Sequence, residues 1–110
     1  MKITLDALQA YLLDRYNGWV TEQALFIKLV EEMGEVAEVI SMRAGGKEAD
    51  TDDLQAQLGN ELADMLHYVV AIAAINHIDL NQTVMEKDRR ASVKYHNDVN
   101  LEAFLSRQEQ

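Results

Sequence analysis

The sequence predicts an all-α protein, and three observations carry that prediction. The 110 residues include no proline and only five glycines, so few residues in the chain disfavour a helix. Apolar residues recur every three to four positions over several long stretches, which is the period of one helix face. A Thr, Asp or Asn suited to cap a helix N-terminus precedes each stretch. We therefore expect four to five helices in one domain that covers residues 1–110.

The first two helices have capping residues at their starts. Thr4 caps the first, which we expect over Leu5–Tyr16. Thr21 caps the second, which we expect to end near Arg43 because a pair of glycines follows. Residues 47–51 are polar and are predicted to form a loop.

The later helices begin at acidic or amide caps. Asp52 and Asp79 each precede a glutamine by three residues, which resembles a capping box. The third helix is therefore expected to start after Asp52 and to end near Asn76, and the fourth to run from Asp79 to about Tyr95. Asn100 caps a short last helix.

Composition and charge exclude several classes of function. The net charge of −9 argues against a protein that grips the backbone of a nucleic-acid polymer. The absence of cysteine excludes disulfides, thiolate metal sites and a cysteine nucleophile. The first ten residues lack the features of a signal peptide, and the longest apolar run, 69–75, is too short to span a bilayer. We expect a cytoplasmic protein that does not bind membranes.

Four glutamates interrupt the apolar pattern of the second helix. On a helical wheel, Glu31 and Glu38 fall well outside its broad apolar arc, where solvent is expected. Glu32 falls on the margin of that arc, and Glu35 lies one step further round. A solvated acidic face is the ordinary explanation of such a pattern, and the third helix argues against it.

The third helix carries a matching pair of acids. Glu61 lies on the margin of its apolar arc with Asp64 nearby, so each helix presents two carboxylates three residues apart on one face. Like charges at that spacing cost about 0.2–0.5 kcal/mol per pair, and carboxylates beside an apolar surface also lose hydration. Oxygen ligands from two adjacent helices suit a hard divalent cation, Mg²⁺ or Mn²⁺. The pattern therefore predicts a cation site.

A di-iron centre is a rival use of carboxylates in a helical bundle. Such a centre needs a Glu-x-x-His pair on each of two helices. The chain offers one imperfect approximation, Asp64 followed by His67. His67 falls nearly opposite the apolar arc of its helix, so we expect it to be structural or exposed.

The acids and their surroundings resemble a known family. EEMGE at 31–35 and ELAD at 61–64 resemble the EExxE…ExxD signature of the MazG-like all-α nucleoside triphosphate pyrophosphohydrolases. The resemblance extends over about Trp19–Tyr95. It implies Mg²⁺-dependent cleavage of a nucleoside triphosphate between the α and β phosphates, in a helical bundle completed by homo-oligomerisation.

The resemblance also assigns roles to the acids. It implies that Glu31 is an outer carboxylate or helps to orient the attacking water. The metal ligands that it implies are Glu32, Glu35, Glu61 and Asp64.

Residues outside the acidic helices complete the implied site. The resemblance places Lys87, Lys94 and Tyr95 at positions that contact the triphosphate. Ala91 stands where related dCTP-type enzymes usually have an asparagine, so that contact is absent here. Trp19 either stacks on the base or plugs the end of the bundle.

The assembly and the substrate are further expectations. The apolar arcs of the second and third helices are wider than one small subunit readily buries, so we expect a homodimer or homotetramer. A role in removing non-standard or surplus nucleotides fits the implied activity. The alternatives are a phosphoribosyl-ATP pyrophosphohydrolase and a non-catalytic, metal-stabilised helical adaptor. No motif identifies the base or the sugar.

Overall fold

A computed structural model describes residues 1–45 and 53–109 of the chain. These residues contain no strand, which confirms the all-α prediction. The predicted loop at 47–51 lies outside the described residues. The described residues form five helices in this order: α1 (Leu5–Tyr16), α2 (Glu22–Arg43), α3 (Leu54–Ile75), α4 (Leu80–Lys94) and α5 (Leu101–Gln108).

Side-chain caps fix the starts of the helices. Four of the five predicted caps accept a hydrogen bond from the backbone N–H three residues later, at 2.8–3.1 Å: Thr4, Thr21, Asp79 and Asn100. The prediction for α3 was wrong by one residue, because Asp53 caps it and accepts from the backbone N–H of Ala56 at 2.9 Å. Asp52 lies outside the described residues. Two adjacent aspartates have the same preference for the cap position, so their identity does not decide between them.

The core lies where α3 packs between α1 and α2. Leu12 of α1 and Val70 of α3 are fully buried, and Leu25 of α2 is nearly so. The small side chains of Ala71 and Ala74 lie in the same cluster and allow the helices to approach closely. These contacts fix α2 and α3 side by side, which is the arrangement that the acidic residues require.

The last two helices form a hairpin that attaches to α1. The side chain of Gln9 accepts a hydrogen bond from the backbone N–H of Leu80 at 3.3 Å and donates one to the carbonyl of Ile78. The α4–α5 turn is closed by Asp88, whose carboxylate accepts from the backbone N–H of Leu101 at 2.7 Å. Gln9 thus joins α1 to the start of α4.

Within the described part of the chain, one side of the α2–α3 pair is uncovered. The large apolar side chains on this α2/α3 apolar face are 40–57% exposed. They are Phe26, Ile27, Val30, Met33 and Ile40 of α2, and Leu62, Leu66 and Val69 of α3.

α3 is also long and apolar enough, by length and composition, to cross a membrane. It is the one helix of the described residues that meets this criterion. A single such helix is weak support for a membrane span, because core helices of soluble proteins meet the same criterion. Here α3 packs against both α1 and α2, and Glu61 and Asp64 interrupt its apolar sequence.

Candidate metal centre

Three carboxylates from two helices converge between α2 and α3. One ligand oxygen from each of Glu32, Glu61 and Asp64 lies within 4.8 Å of the other two. Glu61 and Asp64 share one face of α3 because they are three residues apart. The packing of α2 along α3 adds Glu32 to them. We call these three residues the carboxylate group.

The surroundings of Glu32 in the carboxylate group disfavour its ionisation. Burial is the largest cause of a raised pKa at Glu32. A hydrogen bond with Glu61 and the charges of Asp64, Glu61 and Glu31 raise that pKa further. A cation between these side chains would offset the repulsion between them.

The size and chemistry of the group fit Mg²⁺. The ion binds oxygen at 2.0–2.1 Å, so two ligands on opposite sides of it are about 4.2 Å apart. The observed limit of 4.8 Å needs only small side-chain rotations to meet that value. All three ligands are carboxylates, which suit Mg²⁺ or Mn²⁺. The group contains no histidine, so nothing in it supports the di-iron alternative.

The other acids of α2 lie apart from this group. Glu35, one turn after Glu32, is exposed, and its role as a ligand stays a prediction. Glu31 is exposed as expected, and its carboxylate lies 3.3 Å from the ammonium group of Lys28. Glu38 is half-buried, which corrects the expectation that it faces solvent. A helical wheel of α2 alone does not include the neighbouring segments that cover part of this helix.

His67 makes a structural contact, which is one of the two alternatives expected for it. It is half-buried, and its Nε2 lies 2.7 Å from the hydroxyl oxygen of Tyr16 in α1. Its ring meets the ring of Tyr16 edge-on, with centroids 5.6 Å apart, and packs against Tyr68 at 4.9 Å. The partner is 51 positions away in the chain, so no local pattern signals it.

The surroundings of His67 keep its imidazole neutral near pH 7. Burial lowers the pKa of His67 most, the charge of Arg15 lowers it further, and Asp64 partly opposes both. A neutral imidazole has one nitrogen that donates and one that accepts a hydrogen bond. It can therefore pair with the Tyr16 hydroxyl in either direction.

Trp19 is exposed yet firmly attached. Its indole N–H donates to the carbonyl oxygen of Arg15 at 2.7 Å, and its backbone N–H donates to that of Tyr16 at 3.4 Å. Its ring centroid lies 5.6 Å from that of Tyr16, and the residue remains 69% exposed. A residue so exposed does not plug this subunit, whereas an anchored and accessible ring suits stacking on a planar ligand.

The cations predicted to bind phosphate gather on one side of α4. Lys87, Arg90, Ala91, Lys94 and Tyr95 line a shallow cavity of about 330 Å³. The ammonium group of Lys94 lies 5.3 Å from the centre of the Tyr95 ring. Ala91 contributes only a methyl group among these cations, where an asparagine would offer hydrogen bonds. The structure thus brings Lys87, Lys94 and Tyr95 together.

Comparison with known proteins agrees with this architecture. Residues 20–94, more than half of the chain, match the model of the MazG nucleotide pyrophosphohydrolase domain. The chain belongs to this family. The MazG match covers almost the same residues as the resemblance predicted from the acidic motifs, and that prediction is confirmed.

Individual MazG relatives extend the comparison. The chain is 41% identical over 66 residues to dCTP pyrophosphatase 1 of Mus musculus and 39% identical over 66 residues to that of Rattus norvegicus. Each alignment covers 57% of this chain and 39% of the relative, so the match spans less than half the length of these relatives. The crystal structure of iMazG from Vibrio DAT 722 superposes with a TM-score of 0.61 at 32% identity, covering 84% of this chain and 98% of that one.

Proposed function

We propose that this MazG-family chain hydrolyses nucleoside triphosphates between the α and β phosphates, giving a monophosphate and pyrophosphate. The convergence of Glu32, Glu61 and Asp64 carries the proposal, because it supplies a carboxylate group of the size that Mg²⁺ requires. The names of the rodent relatives support deoxynucleoside triphosphates, dCTP among them, as the first substrates to test. Removal of non-standard or surplus nucleotides is the proposed cellular role.

The chemistry needs a cation and a positioned water. Mg²⁺, or Mn²⁺ in its place, would be held by the carboxylate group with Glu35 as the fourth proposed ligand, and it would neutralise charge on the phosphate oxygens. Glu31 is the proposed outer carboxylate that orients the attacking water or accepts its proton. Its exposure and its position next to Glu32 support this role. No covalent nucleophile is needed, in agreement with the absence of cysteine.

The triphosphate and the base would use other elements. Lys87 and Lys94 carry the charge proposed to bind phosphate oxygens, with Tyr95 beside them. Trp19 is the proposed platform for the base, supported by its exposed and anchored ring.

The proposal includes assembly as a homodimer or homotetramer in the cytoplasm. The eight exposed residues of the α2/α3 apolar face support it, because monomeric soluble proteins rarely expose large continuous apolar patches. A second copy of the chain would cover this face. The net charge of −9 supports the absence of nucleic-acid polymers from the set of partners.

The decisive experiment measures pyrophosphate release from ribo-, deoxyribo- and modified nucleoside triphosphates, with Mg²⁺ and with EDTA. We expect release that requires Mg²⁺ and falls at least about a hundredfold in Glu61→Gln and Asp64→Asn, since removing even supporting residues of metal sites costs 10- to 100-fold. Glu109→Gln is the control, because it removes one exposed acid at the end of α5. Circular dichroism establishes that each variant is folded.

Other outcomes separate the alternatives. Release from phosphoribosyl-ATP alone would identify a phosphoribosyl-ATP pyrophosphohydrolase. Release from no substrate, together with stabilisation by Mg²⁺, would identify the metal-stabilised adaptor. Full activity of the two variants would reject the carboxylate group as the site.

A further inference from the structure

The orientation of Trp19 depends on Tyr16. Among the described residues, three contacts hold Trp19, and two of them are made with Tyr16: the backbone hydrogen bond to its carbonyl and the ring contact at 5.6 Å. The third, from the indole N–H, is made with the adjacent Arg15. Only the ring contact depends on the position of the Tyr16 side chain, so a shift of that ring would remove packing from one side of the exposed indole.

Tyr16 is in turn held by His67. The phenol of Tyr16 is buried, and a buried hydroxyl requires a hydrogen-bond partner. His67 is that partner at 2.7 Å. The ring of His67 lies edge-on to both Tyr16 and Tyr68, so aromatic contacts limit its rotation. The hydrogen bond joins α1 to α3.

The same helix carries the carboxylate group. His67 follows Asp64 by three residues, which is about 4.5 Å along the axis of α3 on the same side. α3 is continuous from Leu54 to Ile75. A rigid element therefore links the proposed metal ligands to the side chain that holds Tyr16, and through it to Trp19.

We infer that His67 is a positioning residue, which fixes the orientation of Trp19 through Tyr16. The inference rests on the proposed function, in which Trp19 contacts the base. An apolar side chain at position 67 would leave the Tyr16 hydroxyl without this partner and would free the Tyr16 ring. The base would then bind more weakly, whereas the phosphates and the metal would bind as before.

Four variants and one control test this inference. His67→Leu removes the imidazole, Tyr16→Phe removes only the hydroxyl, and the double variant removes both partners. His67→Gln is the conservative replacement, because its amide can reach the Tyr16 hydroxyl. His77→Asn is the control: it removes an exposed histidine whose φ of 55° asparagine tolerates.

Three measurements separate base binding from phosphate chemistry. They are KM and kcat for pyrophosphate release, inhibition by inorganic triphosphate, which has no base, and quenching of Trp19, the only tryptophan, by added nucleotide. We expect His67→Leu and Tyr16→Phe to raise KM up to about tenfold, the value of one hydrogen bond, with kcat within about twofold. Inhibition by inorganic triphosphate should not change. The KM of the double variant should be no higher than that of either single variant, and the KM of His67→Gln should lie close to that of the wild type.

Two results would overturn the inference. One is an unchanged KM and unchanged Trp19 quenching in both single variants. The other is a parallel loss of kcat, of triphosphate inhibition and of thermal stability, because a purely structural role would affect all three.

The inference and the proposed function can fail separately. A wild-type protein whose Trp19 is quenched by nucleotide but which releases no pyrophosphate would refute the proposed function, and quenching in the variants would then decide the role of His67. Pyrophosphate release with no quenching of Trp19 would refute the inference and the assignment of Trp19 as the base platform, but it would leave the proposed hydrolysis standing.

Discussion

Glu32→Gln should stabilise the metal-free protein while it removes a metal ligand. Glu32 lies within 4.8 Å of two other carboxylates. Two full charges at that distance repel by about 0.9 kcal/mol in bulk water and by roughly 3.5 kcal/mol at an effective dielectric constant of 20. Because Asp64 is exposed and Glu32 is only partly buried, water screens these charges and the lower value is the better guide.

The expected gain is therefore about 1–2 kcal/mol in the free energy of unfolding, from two repulsive pairs. For a domain of this size it corresponds to a rise of about 4–8 °C in Tm. The amide that replaces the carboxylate can donate a hydrogen bond to Glu61, so it is not left without a partner. Thermal unfolding in EDTA at pH 7.5 and fixed protein concentration measures the gain.

The pH dependence has a definite sign. The pKa of Glu32 is higher in the folded than in the unfolded protein, so ionisation destabilises the fold. This destabilisation is complete above the pKa of Glu32 in the folded protein. It disappears as the pH falls through that pKa towards the pKa of about 4.3 in the unfolded protein. The Tm difference between variant and wild type should thus be largest near neutral pH and vanish near pH 4.

Magnesium should reverse the order of stability. At a Mg²⁺ concentration one hundred times Kd, the wild type gains about 2.7 kcal/mol by mass action, and the variant gains less because it lacks a ligand. Glu31→Gln is the matched control, since it removes an exposed charge paired with Lys28 and should change stability by less than about 1 kcal/mol. A variant at Glu32 that is less stable than the wild type in EDTA would refute the electrostatic reasoning.

Two further predictions concern assembly and the core. Met33→Lys places a charge on the α2/α3 apolar face and should convert the proposed dimer to monomers in sedimentation at micromolar concentration. Val93→Lys, on the exposed surface of α4, should leave the dimer intact. A wild-type protein that sediments as a monomer would contradict this prediction. Leu12→Ala should lower the free energy of unfolding, measured in urea, by about 2–5 kcal/mol, because it opens a cavity at a fully buried site. A loss below about 1 kcal/mol would contradict this prediction and show that the core collapses into the cavity.

Local signals account for most of the fold that the sequence predicted. The bounds of α1 agree with the prediction because Thr4 and the Asn17-Gly18 break act on their immediate neighbours. The predicted start of α3 differed from the observed one by one residue, because two adjacent aspartates are equivalent as N-caps. Periodicity also placed Glu32 and Glu61 on the margins of the apolar arcs of two helices, with Asp64 nearby, and the structure brings these three together.

Contacts between distant segments account for what was missed. The hydrogen bond of His67 with Tyr16 joins α3 to α1, and neither helix carries a pattern that specifies the other as its neighbour. The half-buried state of Glu38 likewise depends on tertiary packing that a single helical wheel does not contain.

The attachment of the α4–α5 hairpin has a consequence for ligand binding. Among the described residues, Ser92 is the only buried residue in either helix, and the hairpin is joined to the subunit largely through α1 and Gln9. Segments with so little buried surface open at a lower free energy than the core, so their amide hydrogens exchange first. The cations of α4 therefore lie on the least protected part of the subunit. A triphosphate that bound there would slow amide exchange most in α4, and part of its binding free energy would be spent on keeping that hairpin closed.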